Sequence, residues 1–174
     1  MTQIIWHGSS LQEITSLAKD ALLEVGHHID KAKKHGATLE WRPIRSDIQG
    51  VRAIKVSNGE EQQLVYVAKI SDKINVLGLS PETTPNTIVS TCVWEALIAD
   101  PVERRICHWK SNQVIRIKER IQELGLPIKE AAERMEISRV QVESLFRGRI
   151  NEFTPEEMAS MFFKLVIQDR EDSG

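Results

Sequence analysis

Residues 125–149 read GLPIKEAAERMEISRVQVESLFRGR. Two short amphipathic segments, Ile128 to Met135 and Ser138 to Phe146, flank the tight turn Glu136-Ile137. Such a pair forms a helix-turn-helix when small residues let the first helix lie close across the second and apolar residues fix the angle. Ala131 and Ala132 are small at the expected crossing, Ile137 is placed to plug the turn, and Val142 and Leu145 supply an apolar underside. Ser138 is the expected N-cap of the second helix. Ser138, Arg139, Val140, Gln141, Glu143, Ser144 and Arg147 then fall on its outer and flanking faces. Arginine and glutamine near the start of such a helix carry the donors that guanine and adenine edges require, whereas cations at its far end are better placed for phosphates. The expected base contacts are Ser138, Arg139, Gln141 and Ser144, and the expected phosphate contacts are Lys129, Arg147 and Arg149. The alternative for the same pattern is a plain helical bundle with surface arginines, whose helical half binds protein.

Charge behaves differently by segment than in total. The 174 residues carry a formal net charge of -2, which alone argues against a protein that coats nucleic acid. Residues 110–149, however, hold nine Lys/Arg against six Asp/Glu, while residues 150–174 hold two against six and residues 1–87 hold ten of each. An acidic tail masks a basic module. Around the core motif, residues 93–97, 102–110, 113–124 and 155–167 also read as helices, punctuated by Asp100-Pro101, Gly125-Leu126-Pro127, Gly148 and Thr154-Pro155. The stretch SPETTPNTIVST at 80–91, rich in Ser/Thr and Pro, reads as a linker. The expected organisation is a domain at 1–80, a linker at 81–91 and an all-α domain at 92–174.

Upstream of the linker the period changes. Gln3 to Trp6 reads as a short strand, and apolar residues from Leu11 to Ala32 recur at three- and four-residue steps, predicting one long helix over Leu11 to His35 or two joined near Gly26. Lys19, Glu24, Asp30, Lys31, Lys33 and Lys34 fall on its polar face. Runs at 51–56, 63–69 and 73–79 are β-branched, and Asn58-Gly59 suits a two-residue hairpin turn. The sum is an α+β domain with helices packed on an antiparallel sheet.

Other chemistries find little footing. Cys92 and Cys107 lack CxxC spacing and are expected to be buried or half-buried thiols, and with His108 they lack a fourth metal ligand. His27, His28 and His35 do not give a compact ligand set, and Ser9-Ser10 beside His7 fits capping better than nucleophile activation. No glycine-rich phosphate loop occurs. Trp6, Trp41, Trp94 and Trp109 are expected in cores or interfaces. Neither a metal nor a cofactor is expected. The N-terminus MTQIIWHGSS lacks a signal-peptide pattern, and no apolar run nears the roughly 18 residues of a membrane span, so a cytoplasmic, nucleoid-associated location without membrane contact is expected.

The stretch 125–149 resembles the helix-turn-helix of XRE (Cro/C1-type) repressors, and more closely that of HigA-type antitoxins. The matching residues are Gly125-Leu126-Pro127-Ile128, Glu130-Ala131-Ala132, Glu136-Ile137-Ser138 and Arg147-Gly148. Glu136 stands at the usual turn glycine, and Pro127-Ile128 at the usual Thr-Gln pair, which removes one side-chain phosphate contact. Residues 92–110 resemble the segment that precedes the motif in those antitoxins, with Trp94, Leu97 and Ile106 as core or dimer-contact residues. The first half resembles HigB-type toxins of the RelE superfamily, which are ribosome-dependent messenger-RNA endonucleases. That likeness runs through Ile4 to Ser10, Gly26, Asp30-Lys31, Trp41-Arg42-Pro43, Gly50-Val51-Arg52, Val65 to Lys69 and Val76-Leu77. Arg52 and Lys55 are kept, but Gln63 replaces an arginine, Gly78 a histidine, and PETTPNT at 81–87 a lysine-rich stretch.

The resemblance therefore implies a toxin-like scaffold that is not an enzyme, fused to an antitoxin-like reader. The expected protein is a transcriptional repressor that binds a palindromic operator in double-stranded DNA as a homodimer, its first domain serving as a dimerisation or protein-partner platform. The alternative is a toxin–antitoxin fusion that still cleaves RNA through Arg52, Lys55, Tyr66 and Lys69.

Overall fold

The computed structural model describes residues 2–35, 41–44, 50–80 and 87–172. The chain divides into two compact units, 1–104 and 105–174.

The first unit is built on a six-stranded mixed sheet in the order β2-β3-β4-β5-β1-β6. Its strands are β1 (Gln3–His7), β2 (Arg42–Pro43), β3 (Val51–Asn58), β4 (Glu61–Ile70), β5 (Lys73–Gly78) and β6 (Thr87–Ser90). The sheet is not wholly antiparallel as the sequence predicts, because β1 pairs parallel with β5. Nor does the linker end at Thr91: Thr87–Ser90 forms an edge strand against β1, and residues 81–86 lie outside the described residues. Helix α3 (Val93–Leu97) packs on α1 (Ser10–Thr15) and α2 (Lys19–His35), so the boundary between units falls at Arg104 and Arg105 instead of within 81–91.

The helical pattern from Leu11 is two helices, but the break lies at Ser16–Ala18 and not at Gly26. The Thr15 and Ser16 hydroxyls donate to carbonyls of Leu11 and Gln12, which ends α1. The Asn58 side-chain oxygen accepts from the Ala18 backbone N–H at 2.8 Å just ahead of α2, in the manner of an N-cap supplied from 40 residues away. Asn58 is consequently a paired strand residue opposite Glu61, and the hairpin loop is Gly59-Glu60, with positive φ at Gly59 alone. Gly26 instead admits Trp94: a Cβ there would stand 2.6 Å from the indole Cζ3. Trp94, Trp6 and Trp41 are all buried, whereas Trp109 is 37% exposed. Every residue from Ala21 to Asp30 is buried, so Glu24 and Asp30 are not on a solvated face. Asp30 is paired with Lys34 at 2.7 Å and Glu24 accepts from the Ser57 N–H at 3.4 Å.

The second unit is helical. α4 (Pro101–Glu123) is one continuous helix where the sequence predicts two, since Ser111 and Gln113 are buried in its middle and neither glycine nor proline interrupts it. α5 (Ile128–Met135), α6 (Arg139–Arg147), a 3-10 turn (Ile150–Glu152) and α7 (Pro155–Asp172) follow. Its core collects Val114, Ile117, Ile121, Met135, Val142, Leu145, Ile150, Phe153, Met158 and Leu165. Cys107 is buried and Cys92 half-buried, and neither is in a disulfide. Lys118, also buried, donates to the Phe146 carbonyl at 2.8 Å, satisfying an otherwise orphaned acceptor in the last turn of α6. Ile106 is 41% exposed and is not a core residue. Among the described residues no helix is long and apolar enough to cross a membrane.

Candidate nucleic-acid interface

Three helix ends in the second unit share one geometry, and together they shape the surface around α6. After α4, Gly125 takes φ 63°, with the Leu126 N–H on the Ile121 carbonyl at 3.1 Å and the Gly125 N–H on Gln122 at 3.0 Å. After α6, Gly148 takes φ 85°, with Arg149 bonded to Ser144 and Gly148 to Leu145, both at 3.1 Å. After α5 the same pair of bonds runs from Ile137 to Ala132 at 3.0 Å and from Glu136 to Glu133 at 3.1 Å, with Glu136 at φ 56°. Each is the double-bonded left-handed terminus that reverses a chain most sharply. The turn position therefore does require positive φ, and a glutamate occupies it. The Glu136 carboxylate is paired with Lys164 on α7 at 2.5 Å.

One residue separates this turn from α6. Ser138 is its N-cap: the hydroxyl accepts from the Gln141 N–H at 3.2 Å while Gln141 Oε1 accepts from the Ser138 N–H at 2.9 Å. This reciprocal capping box satisfies two of the orphan donors at the helix start. Below, Ala131 and Ala132 are buried on α5, which packs on α6 and α7, and Val142 and Leu145 are fully buried. Ile137 is half-buried in the turn. The helix is thereby held from beneath and at both ends.

At 100° per residue, Arg139, Glu143, Arg147 and Val140 share one arc of about 100° on the upper face of α6. Arg139 is 71% exposed and its Nε lies 3.3 Å from Glu143 Oε1. Val140, at 70%, is the most exposed large apolar side chain described, and the sequence reading placed it on this face without a role. Gln141 lies off this arc, about 200° around the helix from Arg139, exposed in the first turn with its carbonyl oxygen committed to the cap, which leaves only its amide N–H groups as donors. Ser144 is buried, so the expected base contact is corrected: five residues after Arg139, it has rotated off the outer face. Lys129 is 83% exposed in the first turn of α5, 4.0 Å from Glu133. Arg147 is exposed in the last turn of α6, whereas Arg149 caps the 3-10 turn with its guanidinium 3.5 Å from Glu152. Of the three expected phosphate contacts, Arg149 is the least exposed.

The four residues expected to carry RNA cleavage do not converge. Side chains alternate between sheet faces, so residues three apart on one strand point oppositely. Tyr66 packs with Val51, Ala68 and Leu77 on one face, and Lys55 shares that parity through its partner Leu64. Lys69 lies on the other face, donating to the Ala32 carbonyl of α2 at 3.3 Å, and Arg52 shares this face through its partner Val67. Gly78 has φ 94°, and a Cβ there would meet the Glu13 carboxylate and approach Ser10 Cα at 3.1 Å. Glu13 in turn accepts from the Leu79 N–H at 2.8 Å and from the Ser9 hydroxyl at 2.5 Å. The place where the resemblance would put a histidine is therefore filled by an acid from α1. His27 and His28 are buried in α2 with ring centroids 5.9 Å apart. Among the described residues no three His, Cys, Asp or Glu side chains stand together as a metal site.

No protein-family model, no curated protein and no solved structure matches this chain.

Proposed function

We propose that the protein is a sequence-specific DNA-binding regulator, a repressor acting as a homodimer on a palindromic operator. The observation that carries the reading is the upper arc of α6. It presents a guanidinium, an apolar side chain and a second guanidinium on a helix locked by a capping box and a buried underside. A rigid helix is what the major groove of B-DNA admits, and these groups match base edges and phosphates in kind. In this reading Arg139 reads a guanine, Val140 meets a thymine methyl, Gln141 donates to a neighbouring acceptor, and Arg147 and Lys129 grip phosphates. One helix of nine residues offers few base contacts, so two copies on paired half-sites are required for useful specificity.

The first unit is then a scaffold of toxin-like lineage, of the RelE and HigB kind, that serves dimerisation or binding of a protein partner. What favours this over RNA cleavage is the split of Arg52, Lys55, Tyr66 and Lys69 across two sheet faces, since phosphodiester chemistry needs its cations on one phosphate.

The experiment is selection of random duplexes with the full chain at low salt. Enrichment of an inverted repeat, with half-sites about one helical turn apart, is expected. If no sequence is enriched, α6 is not a DNA reader.

A further inference from the structure

The Arg139–Glu143 pair invites a question that helix stability does not answer. A cation four residues ahead of an acid is the less favourable order on a helix, and Arg139 sits at the positive end of the dipole with no acid in the first turn. Both groups are largely solvated, at 71% and 43% exposure, so the pair itself stabilises the fold little. The atoms engaged are more informative. Glu143 Oε1 lies 3.3 Å from Nε of the guanidinium, so the ion pair forms at the nitrogen that a fork of two terminal N–H groups does not use.

Guanine presents O6 and N7 side by side in the major groove, and two parallel N–H donors are needed to meet both. A free arginine must freeze a long side chain to offer them, and that ordering subtracts from affinity. A carboxylate holding Nε orders the side chain beforehand, and the pair strengthens when DNA displaces the surrounding water. The same carboxylate, a negative charge on the arc that would face the polyanion, repels every duplex alike.

Resting on the DNA reading of α6, we infer that Glu143 is a positioning residue for sequence discrimination: it aims the Arg139 fork at a guanine, while its charge lowers affinity for every duplex. Glu143 therefore raises specificity through the aim of Arg139, while its uniform repulsion lowers every affinity without changing their ratio.

The test uses full-length protein and its selected duplex. The guanine read by Arg139 is first located as the position whose preference Arg139→Ala abolishes. Affinity is then measured for the selected duplex, for the duplex with adenine at that position, and for an unrelated duplex, all at one salt concentration. Glu143→Ala is expected to bind the unrelated duplex several-fold more tightly while its guanine-over-adenine ratio falls about tenfold. Glu143→Gln removes the charge but keeps an acceptor for Nε–H, so it should share the tighter unrelated binding and retain most of the ratio. If Glu143→Ala leaves the ratio intact, the glutamate is only a charge and the inference fails. It fails equally if affinities for all three duplexes fall together, which marks a structural role, or if Arg139→Ala abolishes no preference. Failure of the wild-type chain to enrich any duplex would instead overturn the DNA reading itself.

Discussion

Glu136 carries a backbone cost that its own ion pair does little to compensate. Its φ of 56° and ψ of 41° place a β-carbon where glycine is favoured, at a cost of about 1 kcal/mol. The pairing with Lys164 is mostly solvated on the glutamate side and offsets little of that cost. Glu136→Gly should therefore raise unfolding stability, by about 1 kcal/mol in a denaturant titration. A loss of stability would mean that the Lys164 contact outweighs the backbone strain. That the turn lacks its glycine is plain from the sequence. That the backbone keeps the left-handed form regardless is not, because the double-bonded helix end and the buried Ala132 and Met135 beneath it enforce the conformation. Asn58 is the opposite case. Its sequence context, Asn-Gly, points to a turn, yet its side chain leaves the hairpin to bond the chain ahead of α2.

At the scale of elements, the DNA reading proposed for α6 assigns different work to its two ends. Arg139 lies at the N-terminal end, where a groove-inserted helix meets base edges, and Arg147 in the last turn, nearer the phosphate chain. Arg139→Ala is expected to relax preference at one base position at a cost of about 1 to 3 kcal/mol, read by repeating the duplex selection. Arg147→Ala should weaken binding to every duplex alike and reduce the salt slope by about one. A changed base preference in the Arg147 variant would mean that the helix is docked the other way round. The bounds of α5 and α6 are legible in the sequence because their determinants are local: Ser138 and Gln141 are three apart, and the helix-end bonds span six residues. The lengths of α2 and α4 are less so. Nothing near Ser16 announces a cap that arrives from Asn58, and the polar Ser111-Asn112-Gln113 run resembles a break until burial of Ser111 and Gln113 absorbs it.

For the molecule as a whole, the total charge of -2 hides a basic segment at 110–149 and an acidic one after it. If, as proposed, Lys129 and Arg147 are the phosphate contacts while Arg149 is engaged with Glu152, two copies would neutralise about four to six phosphates. The logarithm of operator affinity should then fall with the logarithm of salt at a slope of about -4 to -5. A slope near -10, measured by titrating salt at fixed operator, would show that cations beyond α5 and α6 also reach the backbone. Binding to unrelated duplexes should be weak throughout, leaving discrimination to the α6 arc and to the pairing of two copies.

The bounds of α5 and α6 follow from the sequence by itself, because the capping box and helix-end bonds that set them fall within six residues along the chain. The hairpin β3–β4 and the small residues at the α5–α6 crossing are legible for the same reason. Tertiary structure alone decides the rest: the parallel entry of β1 beside β5, the recruitment of Thr87–Ser90 into the sheet, and the burial of Glu24 and Asp30. It also decides that Ser144 turns inward and that Arg52 and Lys69 are separated from Lys55 and Tyr66 by the thickness of a sheet. These outcomes depend on contacts between residues tens of positions apart, and local pattern carries no record of which face of an element such contacts will cover.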